Sequence, residues 1–342
     1  MSHFFHHIDP HQGGLIVCDA TDVYAAIKKC RSNGYTGLLI GDPMSYTKKF
    51  AEPDDPFWLD SNDDQLFGLT LNDVLRGQIE AGADWAVIPT GYIGPGQRDA
   101  FKAAVREAAS VERDDTIFAA PLDIAWFSDA YIDQTVAILS RLSLPKAVYL
   151  GSQGDPLKTF TAEPVTNLRR LVHQVKNISV FSTDLEAFDV LAHGATAASI
   201  GTGGALRHIV RPDQEPESPR PRSDRSPTLL IPDLAAFLAG STIYKRFANT
   251  SAPTCACPAC AGRALDTFLD GADRKAAQQH GVATWTTWLK NLVEQERTTR
   301  SSWWKSFCQA AIDAHDTYNI TIRQRNVFKP PKALRLWAEL PQ

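Results

Sequence analysis

Eight short apolar or β-branched runs, at 14–18, 36–41, 84–89, 116–120, 146–151, 178–181, 197–200 and 228–231, are each followed by turn-forming residues. Between them lie segments with apolar residues at helical spacing, at 23–31, 71–81, 98–109, 132–142, 166–175 and 185–192. This alternation is the strongest constraint on the fold. Parallel neighbours cannot be joined by a tight hairpin, and a helix is the usual crossover between them. Eight such units predict an α/β chain folded as a (β/α)8 barrel, and 342 residues suit a barrel with an appended subdomain. An open doubly wound sheet uses the same alternation and stands as the alternative.

Composition narrows the class further. Hydrophobic residues make up 44% of the chain and charged residues 22%, enough apolar surface for a large core and unlike a disordered chain. The apolar runs are too short to span a bilayer and the His-rich start lacks the apolar core of a signal peptide, so a cytoplasmic protein without a membrane span is expected. A net charge of −4 argues against a wholly basic surface but leaves room for a local Lys/Arg patch. Residues 212–227, rich in Pro, Ser, Arg and Glu without apolar periodicity, predict a mobile loop before the last strand. Its neighbourhood carries Arg211, Arg220, Arg222 and Arg225, which face either solvent or a polyanion. Past residue 240 the composition changes, so the expected division is a barrel core over 1–240 and a zinc-binding helical subdomain over 241–342. Trp285, Trp288, Trp303 and Trp304 in that subdomain fit core or dimer interface better than base stacking.

Three of the six cysteines fall together, in Cys255-Ala-Cys257-Pro-Ala-Cys260. Three thiolates on one turn can converge on a tetrahedral ion, which is the distribution of a metal site and not of a disulfide framework. A fourth ligand must come from elsewhere; His280 is the first histidine downstream and His315 the fallback. Four protein ligands leave no open position, so the expected cofactor is a structural Zn2+. Cys18, Cys30 and Cys308 read as ordinary thiols.

A Cys-x-Cys-x-x-Cys cluster followed by a helix and a histidine, placed after the strands of a (β/α)8 chain, resembles the queuine/archaeosine tRNA-guanine transglycosylase family. The stretch from Asp64 to Asp84, with Leu69, Thr70, Gln78 and Gly82-Ala83-Asp84, is similar to that family's "DG…LTPE…Q…LGAD" segment. The resemblance spans residues 14 to about 300 and implies glycosyltransferase chemistry. In that family an Asp attacks C1′ of a nucleotide, and a 7-deazaguanine-type base then replaces guanine. It also implies tRNA or DNA as the polymer, and a homodimer built through the zinc subdomain.

Carried over residue by residue, the resemblance makes Asp42, at the end of the second strand, the first catalytic carboxylate. An Asp before Pro43 is also a common turn former. The nucleophile's place is taken by Ser199, a poor nucleophile without an adjacent base. The base-recognition segment is replaced by Pro89-Thr90-Gly91, leaving Thr90 as the substrate-side residue there. Asp123, after the fourth strand, is a second carboxylate or a helix cap. Gly151-Ser152-Gln153-Gly154 is similar to the family's base-contacting turn, or is a plain turn. Gly201, Gly203, Gly204 and Arg207 lie outside the family pattern, and glycines after a seventh strand can cradle a phosphate or simply turn the chain. Three functions follow: base exchange on nucleic acid, a catalytically silent subunit of the same fold that binds nucleic acid or an enzyme, or a barrel enzyme on a small phosphorylated or nucleoside substrate.

Overall fold

A computed structural model describes residues 2–59, 69–157, 161–216 and 223–341. The order is β1 (Gly14–Cys18), α1 (Val23–Ser32), β2 (Leu38–Asp42), α2 (Leu71–Glu80), β3 (Ala86–Val87), α3 (Arg98–Ala108), β4 (Thr116–Asp123) and α4 (Ile132–Leu139). There follow β5 (Lys146–Gly151), α5 (Glu163–Gln174), β6 (Ile178–Thr183), α6 (Glu186–Ala192), β7 (Ala198–Ile200), β8 (Thr228–Ile231) and β9 (Ala236–Ala239). The chain ends in α7 (Gly240–Arg246), α8 (Arg274–Val293), α9 (Arg300–Thr321) and α10 (Lys332–Glu339). Residues 64–68 of the family-like segment lie outside the described residues, as do 217–222 of the expected loop, Arg220 and Arg222 among them.

Local sequence explains where these elements start and how they lock together. Asp22 caps α1 by accepting the Ala25 N–H at 2.9 Å, and Thr70 with Asp73 forms a capping box on α2. Gln78, fully buried on α2, exchanges hydrogen bonds of 2.9 and 2.8 Å with the backbone of Val87, so α2 is pinned to β3. Asp84 accepts from the Leu39 N–H and from Arg31, both at 2.7 Å, while Arg31 also donates to the Gly82 carbonyl. The segment carrying Thr70, Gln78, Gly82 and Asp84 thus fastens α1, α2 and β3 to β2.

β1 pairs in parallel with β2, and β3 to β7 form a parallel sheet in chain order. A parallel bridge between Ile40 and Trp85 joins the two groups. Sequential order without reversal is the pattern of a barrel wall, and it differs from the doubly wound alternative. Right-handed crossovers then place the connecting helices α1 to α6 on one face. Side-chain packing agrees. Phe118, Ala120, Val148, Leu150 and Val180 face the helices, where they meet Phe101, Leu139, Leu171 and Phe188. Ile40, Val87, Ile117, Ala119, Ala147, Tyr149 and Phe181 form a separate cluster that contains no residue of α1 to α10. A face covered by no helix must cover itself, and Tyr46, just after β2, meets Tyr149 of β5 with ring centroids 5.4 Å apart. The sheet is therefore curled.

The eighth run departs from the expected pattern. β8 pairs antiparallel with β9, from Thr228 opposite Ala239 to Ile231 opposite Ala236. The chain reverses through Pro232-Asp233-Leu234, too short a connection for a crossover, so the return strand runs antiparallel. Among the described residues no ladder joins β8 to β1 or to β7.

The last helices share the outer core of the curled sheet. Trp304 is fully buried and stacks on Phe188 of α6, Trp288 contacts the same ring, and Trp337 of α10 lies against Trp304. Arg169 of α5 makes a buried bidentate pair with Asp189 of α6 at 2.9 and 2.7 Å, and it also donates to the Pro341 and Trp337 carbonyls. One guanidinium therefore satisfies a carboxylate and the chain end together.

Candidate functional site

The C-terminal ends of the strands carry most of the chemistry, as in other curled parallel sheets. Asp42 closes β2 and is 2% exposed. Its Oδ1 accepts the Met44 N–H at 2.8 Å and its Oδ2 accepts the Tyr46 hydroxyl at 3.1 Å, with the Cys18 thiol 3.9 Å away. Burial pushes its carboxyl above the usual range, against the pull of these donors. The Tyr149 hydroxyl is directed at the same carboxylate without a well-formed hydrogen bond, and among the described residues neither it nor the buried Ser45 hydroxyl has a partner. Asp42 is therefore a buried carboxyl, raised above its ordinary range, between the hydroxyls of Tyr46 and Tyr149.

Asp123 closes β4. It is a cap, because its Oδ1 accepts the Ala125 N–H at 3.0 Å, and it also accepts the Tyr92 hydroxyl at 2.9 Å. Gly151 sits opposite it in the β4–β5 ladder, and a Cβ there would lie 2.3 Å from the Tyr92 hydroxyl. Glycine is needed at 151 to admit that tyrosine. Gln153 is exposed beyond it, while Thr90 is buried and leans back on the Ile88 carbonyl.

Ser199 lies within β7, and its hydroxyl oxygen accepts the Ser182 N–H at 2.9 Å. Ser182 has φ 54 and sits where the β6–β7 register shifts, so Ser199 bridges a bulge. Gly201 is packed against the Leu206 carbonyl, which a Cβ would approach to 2.2 Å, whereas Gly203 and Gly204 face open space. Arg207 donates to the Gly201 carbonyl at 3.2 Å and lies 3.4 Å over the Phe237 ring, so the glycine turn is held from within.

A second centre forms behind β8. The turn Cys255–Gly262 is closed by Cys255 N–H to Arg263 O at 3.0 Å and Gly262 N–H to Cys255 O at 2.9 Å, with Gly262 at φ 92. His280 of α8, fully buried, brings Nδ1 to 3.3, 3.5 and 3.3 Å from the sulfurs of Cys255, Cys257 and Cys260. Its Nε2 is 2.8 Å from the Leu230 carbonyl, which can only accept, so Nε2 carries the proton and Nδ1 presents its lone pair to the sulfurs. A tetrahedral ion with metal–sulfur about 2.3 Å and metal–nitrogen about 2.0–2.1 Å gives sulfur–nitrogen edges of about 3.5 Å, which these residues match. The four could hold a metal ion. His315, the alternative fourth ligand, lies elsewhere, with Nε2 on the Leu234 carbonyl at 3.1 Å.

A third group is one that sequence reasoning missed. Asp155, Asp184 and Glu186 follow β5 and β6, and Arg207 follows β7. Glu186 is 3% exposed and its Oε1 has no partner among the described residues; burial, then the charges of Asp184, Asp155 and Asp189, push its carboxyl far up. Asp184 is pushed up to about 6 by burial and by Asp155, while Arg207 pulls the other way. Its Oδ1 accepts the Glu186 N–H at 3.2 Å. In the sequence Asp184 and Glu186 read as the acidic start of α6 and Asp155 as a turn residue, so nothing local marks them as a group.

No protein-family model matches the chain and no curated protein matches it. Among solved structures, dihydrodipicolinate synthase from Aquifex aeolicus is similar at a TM-score of 0.34 and 12% identity, over 95% of this chain and 92% of that one. No helix among the described residues is long and apolar enough to cross a membrane.

Proposed function

We propose that the chain is a divergent relative of the tRNA-guanine transglycosylases, a glycosyltransferase that exchanges a guanine-type base in tRNA or DNA for a 7-deazaguanine. The observation that carries this reading is the Cys255/Cys257/Cys260/His280 cluster, assembled by a helix that follows the last strands. We take the ion to be zinc, bound structurally, since the donor set is three sulfurs and one imidazole with no place for water. It would clamp the cysteine turn and α8 to β8 through His280 and Leu230. The curled sheet completed as an eight-unit barrel, with the segment 241–342 as its zinc subdomain, a homodimeric assembly and a cytoplasmic location belong to the same reading.

Within it, Asp42 is the first of two strand-end carboxylates and contacts the base. A buried carboxyl raised above its ordinary range is suited, when protonated, to donate a hydrogen bond to a base held at the end of β2. Asp123, held by Tyr92, is the second carboxylate of the pair and fixes the end of β4 beside Gly151. Ser199 is spent on the bulge and serves no proton-transfer role.

The test is incorporation of a radiolabelled guanine or 7-deazaguanine into tRNA, duplex DNA and single-stranded DNA. Label in one polymer names the substrate; no label in any, from folded and metal-loaded protein, refutes base exchange. The engagement of Ser199 with Ser182 favours a second reading, a catalytically silent subunit of this fold that binds nucleic acid or a partner enzyme. Salt-sensitive binding of nucleic acid without exchange would support that reading. A small phosphorylated ligand at Gly203–Gly204 is a third, and binding of inorganic phosphate or a nucleotide there would distinguish it.

A further inference from the structure

Base exchange needs an ionised carboxylate at the sugar, and the described strand ends offer few. Both oxygens of Asp42 and both of Asp123 already accept hydrogen bonds, and Ser199 is committed to the Ser182 N–H. Directly beyond that bulge stands Asp184. The Gly201 N–H bonds to the Thr183 carbonyl at 3.0 Å, so the first residue past β6 lies beside the exit of β7, where Ser199 left a role unfilled.

We infer that Asp184 is the nucleophile of the exchange, with Glu186 as its proton carrier, in a site formed by Asp155, Asp184, Glu186 and Arg207. Three observations converge on this point. Asp184 is partly exposed, unlike Asp42, and so can meet a ligand. The guanidinium of Arg207 favours its charged form from the β7 side. The Glu186 carboxyl, nine-tenths buried and more, carries an oxygen with no partner among the described residues and has Asp184 and Asp155 as charged neighbours. An unpartnered buried oxygen is costly unless function retains it.

The step balances as follows. An Asp184 oxygen forms a bond to C1′ while the C1′–N9 bond breaks; the electron pair leaves with the purine, which takes the proton of Glu186. The incoming base then gives its N9 proton to Glu186, attacks C1′ and expels the Asp184 carboxylate. No oxidant or co-reactant is needed.

The inference rests on the base-exchange reading, and one experiment separates their failures. Full-length wild type, Asp184→Asn and Glu186→Gln are compared for label incorporation at matched folding, checked by thermal melts. Each protein is also incubated with polymer but no incoming base, denatured, digested and weighed for a nucleotide adduct. Expected are incorporation by wild type, a loss of about 10²-fold or more in Asp184→Asn, and an adduct on the peptide containing Asp184 that this variant lacks. Glu186→Gln should slow exchange at least about tenfold while the adduct stays on Asp184. Exchange by Asp184→Asn near the wild-type rate, or an adduct on Asp42 or Asp123, overturns the inference alone. No incorporation by wild type overturns the base-exchange reading, and the nucleophile falls with it.

Discussion

Withdrawing the proposed zinc from the Cys255/Cys257/Cys260/His280 cluster should measurably loosen the fold, and the size of the effect follows from the site. Structural zinc in small fingers binds with about 10–16 kcal/mol; a value near 12 kcal/mol corresponds to a dissociation constant of about 1 nM. At about 1 µM free metal the folded state then gains about 4 kcal/mol. A chain of 342 residues melting as one unit has an unfolding entropy near 0.7 kcal/mol/K, from about 2.1 cal/mol/K per residue. Chelation should therefore lower the melting temperature by about 6 °C, and each tenfold rise in free zinc should restore about 2 °C. The assay is differential scanning fluorimetry in zinc–chelator buffers, alongside elemental analysis of the purified protein. His280→Ala should abolish the dependence, and Cys18→Ser, outside the site, should keep it. A melting temperature indifferent to chelator, in protein carrying well under one metal per chain, would refute the reasoning.

Three further outcomes follow from particular contacts. Asp189→Ala strands the Arg169 guanidinium in a buried position, and urea unfolding should show a loss of about 3–5 kcal/mol. Gly151→Ala should drive the Tyr92 hydroxyl off Asp123 and cost about 1–3 kcal/mol, and adding Tyr92→Phe should recover part of it in a double-mutant cycle; strict additivity would contradict the clash. Because folding raises Asp184 from 3.8 to about 6, the native state binds more protons in that interval, so this group's contribution to stability falls as pH rises through it. Asp184→Asn should be more stable than wild type at pH 7 and flatter between pH 4 and 6, and an unchanged pH profile would count against the shift. A catalytic carboxylate held at the expense of stability would behave in this way.

The amino-acid sequence by itself determined what depends on neighbours along the chain. The first seven expected runs coincide with β1 to β7 and six helical segments with α1 to α6, because period-2 and period-3.6 patterns and caps such as Asp22 and Thr70 are local. The cysteine turn was legible for the same reason, and His280 joined it because three sulfurs leave a fourth place to fill. The tertiary structure alone decided the rest. β8 is as apolar as a barrel strand, and only the short turn at Pro232–Leu234 makes it pair backwards with β9. Ser199 looks like a displaced nucleophile until Ser182 takes its oxygen. Asp155, Asp184, Glu186 and Arg207 follow three different strands, and the charges on Asp184 and Glu186 acquire meaning only where the fold brings these residues together. Periodicity reports which face of an element is buried; it carries no information on which ends of distant elements meet, and that meeting sets the electrostatics of a site.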